Sequence, residues 1–325
     1  MKIKYEENQI ILFIFFIIVI LIGGCDESNS TEEKTVPHEG RWGVYELDLT
    51  TNITLLIYSN SEKVSGLQLD HEGNNFVFSK TTGGTGDNYE EIFTMAIDGS
   101  NLERLTDNNY LDVYPSWSPD GSRIAFLSKR EIDLDIYVID ADGSNTEKLY
   151  DSGTNDADIH WIGDKICFTR NSQIWIVNDD GLDPFQITNP SNAGQWGNAN
   201  LPFGDYDPRL SPDGSRIVFE RLTDDVSPHG NYDLYVINND GSGETAITDN
   251  GYTQGLASWS HSGNKIVYIV SAIADEGKYD IYMMNADGTD VHNIIPDYYQ
   301  PLFLSHSAIF SIDDSKIFFI GEWWE

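Results

Sequence analysis

The sequence has few cysteines and few basic residues. Cys25 and Cys167 are the two cysteines among 325 residues, so no disulfide framework is available. Lysine and arginine number 19 against 53 aspartates and glutamates, which gives a formal net charge of −34. Because binding to phosphate backbones needs a positive field, this balance excludes nucleic acid as a main partner. The same charge favours solubility and neutral or cationic partners.

Familiar catalytic motifs are also missing. The sequence contains neither G-x-S-x-G nor H-E-x-x-H, and its seven histidines are dispersed. The repeated DADG, NDDG and NADG segments lack the spacing of a calcium-binding loop, so we predict no metal and no other cofactor. One arrangement could still support chemistry. His160 with Asp158, and His306 across the channel of the fold predicted below, could form a metal site or an acid–base pair, although isolated histidines are more often structural.

The first 25 residues differ from the rest of the chain. An uncharged apolar run at 10–22 follows Lys2 and Lys4 and ends in Gly-Gly-Cys. As a helix this run would rise about 20 Å, less than the roughly 30 Å of a bilayer core, so it fits a signal peptide better than a stable span. The small residues before Cys25 resemble the lipobox of prokaryotic lipoproteins, in which the cysteine is lipidated. This resemblance implies a signal peptide at 1–25 and a lipid anchor; the alternative is an uncleaved signal anchor.

The remaining chain divides into a tether and a folded domain. Residues 26–40 are mainly polar and are predicted to be flexible, and residues 41–325 are long enough to bury a large core. A lipid anchor at Cys25 and an uncleaved signal anchor would both place this domain outside the cytoplasm, on the periplasmic or cell-surface side. Cys167 alternates with apolar residues in KICFT, so we expect it to be a buried, inert strand residue.

Seven residues occur twice in the chain, as SPDGSRI at 118–124 and at 211–217. Related copies recur roughly every 42–51 residues, and each is a tight polar turn followed by an alternating apolar strand. A second element follows most copies: an aromatic-rich strand, an Asp-Gly turn and a short strand, which is a strong hairpin signal. Each unit therefore has four antiparallel strands, the pattern of a propeller blade.

The number of units predicts how the ring closes. Complete units run from about residue 64 to 301, with one strand pair left over at each end, at 42–59 and at 307–324. Two halves make one blade and remove the open sheet edges. We therefore predict an all-β protein, a six-bladed β-propeller of four-stranded antiparallel blades. In the shared blade the C-terminus supplies the inner strands and the N-terminus supplies the outer ones.

The second unit, with PSWSPDGSRIAFLS and IYVIDADGSNTEKL, resembles the repeat of the TolB-type propeller family. The resemblance covers nearly all of the predicted folded domain and is most specific in the second unit. It implies the propeller fold. The globular domain that precedes the propeller in TolB itself has no counterpart in the sequence, so the resemblance does not by itself imply a role in the Tol–Pal system.

Function is expected on the propeller face with long, irregular connections, because loops on a rigid scaffold often carry binding sites. The aspartates at 112, 156 and 205 each precede an inner strand and are predicted to line one rim of the central channel. There they could hold a cation or a basic side chain of a partner, or they could cap backbone amides. Aromatic residues near them suit a sugar or a peptide. The longest connections are at 80–90, 188–208, 220–232, 271–279 and 296–307. The predicted ligand-binding residues are Asp112, Tyr114, Asp156, Asp158, His160, Trp196, Asp205, Tyr206, Arg209, Tyr252, Tyr298, Tyr299 and His306.

These features predict a membrane-anchored, monomeric binding or scaffold module. Its ligand would be a protein or a polysaccharide, bound through the long-loop face. The alternative is a carbohydrate-active lyase or hydrolase with its site at the mouth of the central channel. A purely structural envelope component is a third interpretation.

Overall fold

The computed structural model describes residues 35–83, 90–225, 230–271, 279–299 and 303–323. The predicted signal peptide with Cys25, most of the predicted tether and parts of four predicted long connections lie outside these ranges. Residues from Thr35 onward form one compact unit. The described ranges contain no helix that is long and apolar enough to cross a membrane.

The regular structure of the described ranges consists of β-strands, arranged in six sheets of four. The strands are short and buried mainly through β-branched and aromatic residues, which suit a pleated surface. In chain order they are β1 (Trp42–Asp48), β2 (Ile53–Asn60), β3 (Val64–Leu69), β4 (Asn75–Thr81), β5 (Glu90–Ala96), β6 (Glu103–Arg104), β7 (Asp112–Trp117), β8 (Arg123–Ser128), β9 (Asp135–Asp140), β10 (Glu147–Tyr150), β11 (Asp156–Ile162), β12 (Lys165–Arg170), β13 (Gln173–Asn178), β14 (Phe185–Gln186), β15 (Asp205–Leu210), β16 (Arg216–Asp224), β17 (Asn231–Asn238), β18 (Thr245–Ala246), β19 (Thr253–Trp259), β20 (Lys265–Ser271), β21 (Tyr279–Asn285), β22 (His292–Asn293), β23 (Phe303–Phe310) and β24 (Lys316–Trp323).

Each sheet is one propeller blade. Blades 1 to 5 take four consecutive strands each, beginning at β3, β7, β11, β15 and β19. Blade 6 has the order β23-β24-β1-β2, so its inner pair comes from the C-terminus and its outer pair from the N-terminus. All strand pairs within the blades are antiparallel. The predicted six-bladed propeller with a shared closing blade is confirmed.

The ring closes through its inner strands. Each inner strand contacts the next one around the ring, and β23 of blade 6 contacts β3 of blade 1. The hydrophobic core lies between neighbouring blades: Val77 and Ile92 of blade 1, for example, pack against Phe126 and Ile139 of blade 2. Cys167 belongs to such an interface and is fully buried, as predicted, and burial raises the pKa of its thiol to about 12.

The repeated SPDGSRI segment is the turn between the first and second strands of a blade. Asp120 accepts hydrogen bonds from the Ser118 hydroxyl at 2.7 Å and the Ser122 backbone N–H at 3.0 Å, which lower the pKa of its carboxyl to about 2. The propeller face with these turns is called the turn face below. The opposite face carries the connections between second and third strands and between successive blades, and it is called the loop face.

Candidate functional site

All six inner strands are interrupted by a β-bulge at the same level of the ring. Every bulge contains a residue with positive φ, and five of the six are not glycine. Such a conformation costs a non-glycine residue roughly 1 kcal/mol or more, so the surrounding fold must hold these residues in place. The six positions, called the bulge ring, are Gly66, Tyr114, Asp158, Asp207, Leu256 and Ser307.

Three carboxylates gather at the bulge ring between blades 3, 4 and 5. The Asp207 backbone N–H lies 3.4 Å from Asp158 Oδ2. Glu220 on β16 is paired with Tyr206 on β15, and its carboxylate lies against Gly255 of β19, where a Cβ would overlap Glu220 Oε2. We call Asp158, Asp207 and Glu220 the acid cluster.

Burial and mutual repulsion raise the pKa of two acids of the cluster, Asp158 and Glu220. Burial first, and the charge of Asp207 second, raise the pKa of Asp158. The same two causes raise the pKa of Glu220 well above its usual value. The guanidinium of Arg209 partly offsets both effects, but its Nη2 lies 3.9 Å from Asp207 Oδ1, too far for a hydrogen bond. Asp207 Oδ1 is buried and accepts no hydrogen bond from an N–H or hydroxyl group of the described residues, while Glu220 shares a side-chain hydrogen bond with Asp207 that further raises the pKa of Glu220. The cluster would therefore be stabilised by an additional positive group.

Tyr114 places an aromatic ring beside the acid cluster. Its side chain belongs to the neighbouring bulge-ring position and is 39% exposed. The charge of Asp158 is the largest cause that raises the pKa of the Tyr114 hydroxyl, followed by burial and by Asp207. The phenol therefore stays neutral and offers a hydrogen-bond donor next to the carboxylates.

The prediction that Asp112, Asp156 and Asp205 line the channel rim is wrong. All three are fully buried at the beginning of their inner strands. Asp112 accepts hydrogen bonds from Ser128 and Asn108. Asp205 binds Arg221 of its own blade, with Nη2 at 2.9 Å from Oδ2. These carboxylates are turned into the blade and away from any ligand, because the residues that lie in the bulges follow them by two positions.

Asp156 differs from its two counterparts. Neither of its carboxylate oxygens accepts a hydrogen bond within the described ranges. Burial raises the pKa of Asp156 to about 7, and the nearby Ser152 and Arg170 lower it only in part. Asp156 is thus a buried acid without the ion pair that Asp205 has.

The predicted pair of His160 and His306 is not formed. His160 accepts a hydrogen bond from the Leu210 backbone N–H at its Nδ1, at 3.0 Å. His306 lies at a different level, on the other side of the bulge of β23, with its Nε2 3.4 Å from Glu322 Oε2. Its ring stacks between Trp42 and Tyr279. The two histidines therefore have separate surroundings, and each packs in its own blade region.

Three of the predicted binding tyrosines are packing residues. Tyr206 is buried and donates to Ser172 Oγ at 2.9 Å. The hydroxyl of Tyr298 donates to the Asn52 carbonyl at 2.9 Å, and that of Tyr299 lies 2.7 Å from Thr54 Oγ1. Tyr298 and Tyr299 thus fasten the segment before β23 to the outer strand of blade 6. They are not available as an open binding surface.

Other aromatic residues are exposed on the loop face. Trp196 is 71% exposed and Tyr252 is 49% exposed, and both lie in connections between successive blades. The connection that carries Trp196 is anchored, because Ala199 and Phe203 pack against a small cluster with Leu222. Trp196 is therefore an exposed ring on a fixed base. Its binding role and that of Tyr252 stay predictions.

A second group of acids lies at the outer side of blade 2. Glu131, Asp135 and Asp151 are close enough to share a cation. Lys148 already occupies that position, with its Nζ at 2.8, 3.0 and 3.1 Å from the three carboxylates. This group is therefore an internal ion-pair network.

Sequence reasoning missed Asp207 and Glu220. A signal for Asp207 was present, since Tyr114-Pro115 and Asp207-Pro208 occupy the same register before the turn of their units. Asp207 could thus have been placed beside Tyr114. No comparable signal marks Glu220, because it occupies an ordinary position on a second strand.

Comparisons with known proteins agree with this architecture. The sequence model of the TolB beta propeller domain matches residues 39–183. An uncharacterised protein of Agrobacterium fabrum, Atu1656, is 29% identical over 178 residues, which are 51% of this chain and 57% of that protein. A TolB homolog of Chlorobium luteolum is 26% identical over 152 residues, which are 45% of this chain and 31% of the homolog. The chain thus matches less than two thirds of the length of either relative.

Solved structures show the same fold. A structure assigned to TolB of Agrobacterium tumefaciens superimposes with a TM-score of 0.65 and 16% identity. The superposition covers 88% of this chain and 99% of that one. At this identity the likeness concerns the fold.

Proposed function

Because the chain is a TolB-like β-propeller, we propose that it is a protein-binding module of the cell envelope. Its binding site is the loop-face mouth of the channel, with Tyr114 and the acid cluster at the centre. The partner is a protein that presents a lysine or arginine side chain to this mouth. The support for this proposal comes from the geometry of the bulge ring. The acids predicted at the rim give no support, because they are fully buried.

One observation carries the proposal. Asp158, Asp207 and Glu220 are held close together, burial and their repulsion raise the pKa values of Asp158 and Glu220, and Asp207 Oδ1 accepts no hydrogen bond from an N–H or hydroxyl group of the described residues. A cationic side chain would offset the negative charge of the cluster and donate a hydrogen bond to Asp207 Oδ1. Tyr114 adds an aromatic face on which the aliphatic part of that side chain can pack.

The surrounding surface fits a protein partner. Trp196 and Tyr252 are exposed aromatic residues, the type that often anchors interfaces. The net charge of −34 would steer a basic partner toward the channel mouth and would make association depend on ionic strength. The enzyme alternative has less support, since the acid–base pair that it required, His160 with His306, is not formed.

The site can be tested by photo-crosslinking in the native host. A photoreactive phenylalanine analogue replaces Trp196 or Tyr252 on the loop face, and Phe185, exposed on β14, serves as the matched control. We expect a discrete crosslinked protein band from positions 196 and 252 and none from 185. Equal bands from all three positions, or none at all, would contradict the proposal. A crosslinked product that resists protease and is degraded by glycosidases would favour a polysaccharide instead.

The acid cluster is tested in the same experiment with a second substitution. Asp207→Asn removes one charge and keeps the size of the side chain. We expect it to reduce crosslinking at position 196 by about tenfold, the effect of losing one charge-assisted contact. Asp98→Asn, in an exposed hairpin turn, should leave crosslinking unchanged. Unchanged crosslinking in Asp207→Asn would show that the acid cluster does not contribute to partner binding.

The location of the module rests on its N-terminus. We propose that Cys25 carries a lipid that tethers the propeller to the extracytoplasmic side of the membrane through residues 26–40. The apolar run at 10–22 and the Gly-Gly-Cys that ends it support this proposal. A tethered propeller would meet its partner at the membrane surface.

A further inference from the structure

The turn face has a small cavity of its own at the other mouth of the channel. Its volume is about 110 Å³, and its walls come from the inner strands and turns of blades 1, 3, 4, 5 and 6. This cavity lies on the turn-face side of the bulges, and Arg209 lies between it and the acid cluster. The residues that define its chemistry are His71, His160, Arg209, Trp259 and His261.

His160 presents a hydrogen-bond donor to this cavity. Its Nδ1 accepts from the Leu210 backbone N–H, so in the neutral ring the proton is on Nε2. Burial, with the charge of Arg209 as a smaller cause, lowers the pKa of His160 to about 3, which keeps the ring neutral. A metal bound at Nε2 would require that proton to leave, while Nδ1 would still face an N–H donor. His160 is therefore suited to donate to a ligand and unsuited to ligate a metal.

Arg209 has donors to spare. Its Nη1 donates to the Pro208 carbonyl at 2.9 Å, and its Nη2 lies 3.9 Å from Asp207 Oδ1, beyond hydrogen-bond distance. Arg209 is one of the residues that line the cavity. A planar acceptor such as a carboxylate or a phosphate face matches its fork of N–H groups.

Two further histidines flank the opening from the turns of blades 1 and 5. The rings of His71 and His261 are exposed and lie 6.4 Å apart, centroid to centroid.

The carboxylates beside these two histidines already accept hydrogen bonds from other groups of the protein. Asp70 accepts from the Asn74 backbone and from the Asn75 side chain, both at 2.7 Å. Asp314 accepts from the backbone N–H groups of His261 and Ser262, at 2.6 and 3.1 Å. These two carboxylates therefore already have hydrogen-bond donors within the protein.

We propose that this cavity is a binding site for a small oxyanion, a carboxylate or a phosphate group. Arg209 and His160 bind its oxygen atoms at the base, and His71 and His261 contact it at the opening. The volume accommodates a small anion or a single anionic end group, and it is far below the roughly 300–1,000 Å³ of pockets that enclose drug-sized molecules. The site lies on the face opposite the proposed protein-binding mouth, so it does not depend on that function.

The site can be tested by NMR on the full chain in detergent micelles, with the histidine rings labelled with carbon-13. The probes are acetate, malonate and inorganic phosphate, each titrated at constant ionic strength against chloride. We expect saturable shifts of the His71, His160 and His261 ring signals, with a dissociation constant on the order of 1 mM for at least one probe. The probe that binds most tightly distinguishes a carboxylate site from a phosphate site. Shifts that are absent, or that rise linearly for all seven histidines, would overturn the proposal.

Variants test which residues hold the anion. Arg209→Gln should weaken binding at least roughly tenfold, because a charge-assisted contact is lost. His71→Ala combined with His261→Ala changes only exposed turn residues and should weaken binding by roughly threefold or more without affecting the fold. His292→Asn, on the outer strand β22, is the matched control and should bind like the unaltered chain. Equal affinity in the double variant and the control would overturn the role of the two turn histidines, and equal affinity in Arg209→Gln would overturn the site.

Discussion

Lys316 and Glu46 are 270 positions apart in the chain, yet Lys316 Nζ lies 2.7 Å from Glu46 Oε1 across the junction of β24 and β1. Arg41 and Glu322 form a second pair at 2.8 Å on the same junction. In both pairs the carboxylate is largely buried but the basic side chain is partly exposed, so solvent screens the interaction and each pair contributes modestly, on the order of 1 kcal/mol. The junction is stabilised chiefly by buried aromatic packing, with Tyr45 of β1 stacked on Phe319 of β24.

Gly321→Ala is predicted to weaken this junction. Gly321 pairs with Gly43, and an added Cβ would overlap the Phe303 ring and lie 2.6 Å from a ring carbon of Tyr45. Overpacking of this kind costs about 1–3 kcal/mol. We expect the free energy of unfolding, measured by urea denaturation, to fall by that amount.

Amide hydrogen exchange shows whether the loss of stability is confined to blade 6. In Gly321→Ala, the amides of β1 should exchange faster, while those of β12 in blade 3 should keep their rates. Ser61→Ala, in the exposed connection after β2, is the control and should change neither measurement. A uniform acceleration in all blades would show that closure of blade 6 is not the weak point.

The fold could be predicted from the sequence because its determinants are local and repeated. The turn at 118–122 contains a proline, an aspartate and a glycine in order, and the same letters recur at 211–215. The two leftover strand pairs then had one arrangement that closed the ring, which the pairing of β1 with β24 confirms. The bulge ring was not predictable, because five of its six residues are not glycine and residues with a side chain rarely adopt a positive φ.

Asp156→Asn is predicted to stabilise the protein at high pH. Burial raises the pKa of Asp156 to about 7 in the folded protein, from 3.8 in the absence of burial. Between these values the folded state binds more protons than the unfolded state, so Asp156 lowers stability as the pH rises from 4 to 7. The advantage of the asparagine variant should grow by about 1–3 kcal/mol between pH 4.5 and pH 8. Urea denaturation at the two pH values measures it.

Asp205→Asn is the matched comparison for that prediction. Asp205 occupies the same strand position but binds Arg221, which keeps its contacts with Glu244. Removing the carboxylate leaves a partly buried guanidinium with one partner fewer, so stability at pH 8 should fall by about 1–3 kcal/mol. If both variants change stability in the same direction at pH 8, the missing ion pair of Asp156 is not the cause.

The candidate site was only partly predictable, and the reason is the direction of side chains. The sequence located the beginning of each inner strand correctly, at Asp112, Asp156 and Asp205. It could not show that the bulge two positions later turns Asp158 and Asp207 toward each other and leaves the earlier acids buried. Glu220 joined the cluster through packing against Gly255 of another blade, a contact between positions that no motif connects.

Lys148→Met is predicted to destabilise blade 2 in a pH-dependent way. The substitution removes the cation from Glu131, Asp135 and Asp151, and it leaves buried Asp135 without a counter-charge. Burial already raises the pKa of Asp135. The variant would raise this pKa further, so its loss of stability should be large at pH 8 and smaller at pH 4.5, where a larger fraction of Asp135 is protonated. Melting temperatures at both pH values measure this. Exposed Lys129→Met is the control and should melt like the unaltered chain at both.

Cys25→Ser is predicted to release the propeller from membranes. A lipidated cysteine after Gly-Gly would be the only anchor once residues 1–24 are removed, and serine cannot form the thioether that carries the lipid. We expect the protein to move from the membrane pellet to the soluble extracytoplasmic fraction after ultracentrifugation, and to lose labelling by a radioactive fatty acid. Cys167→Ala is the matched control, since Cys167 is buried in the propeller, and it should stay labelled and membrane-bound. Membrane association that persists in Cys25→Ser would identify the apolar run at 10–22 as an uncleaved signal anchor.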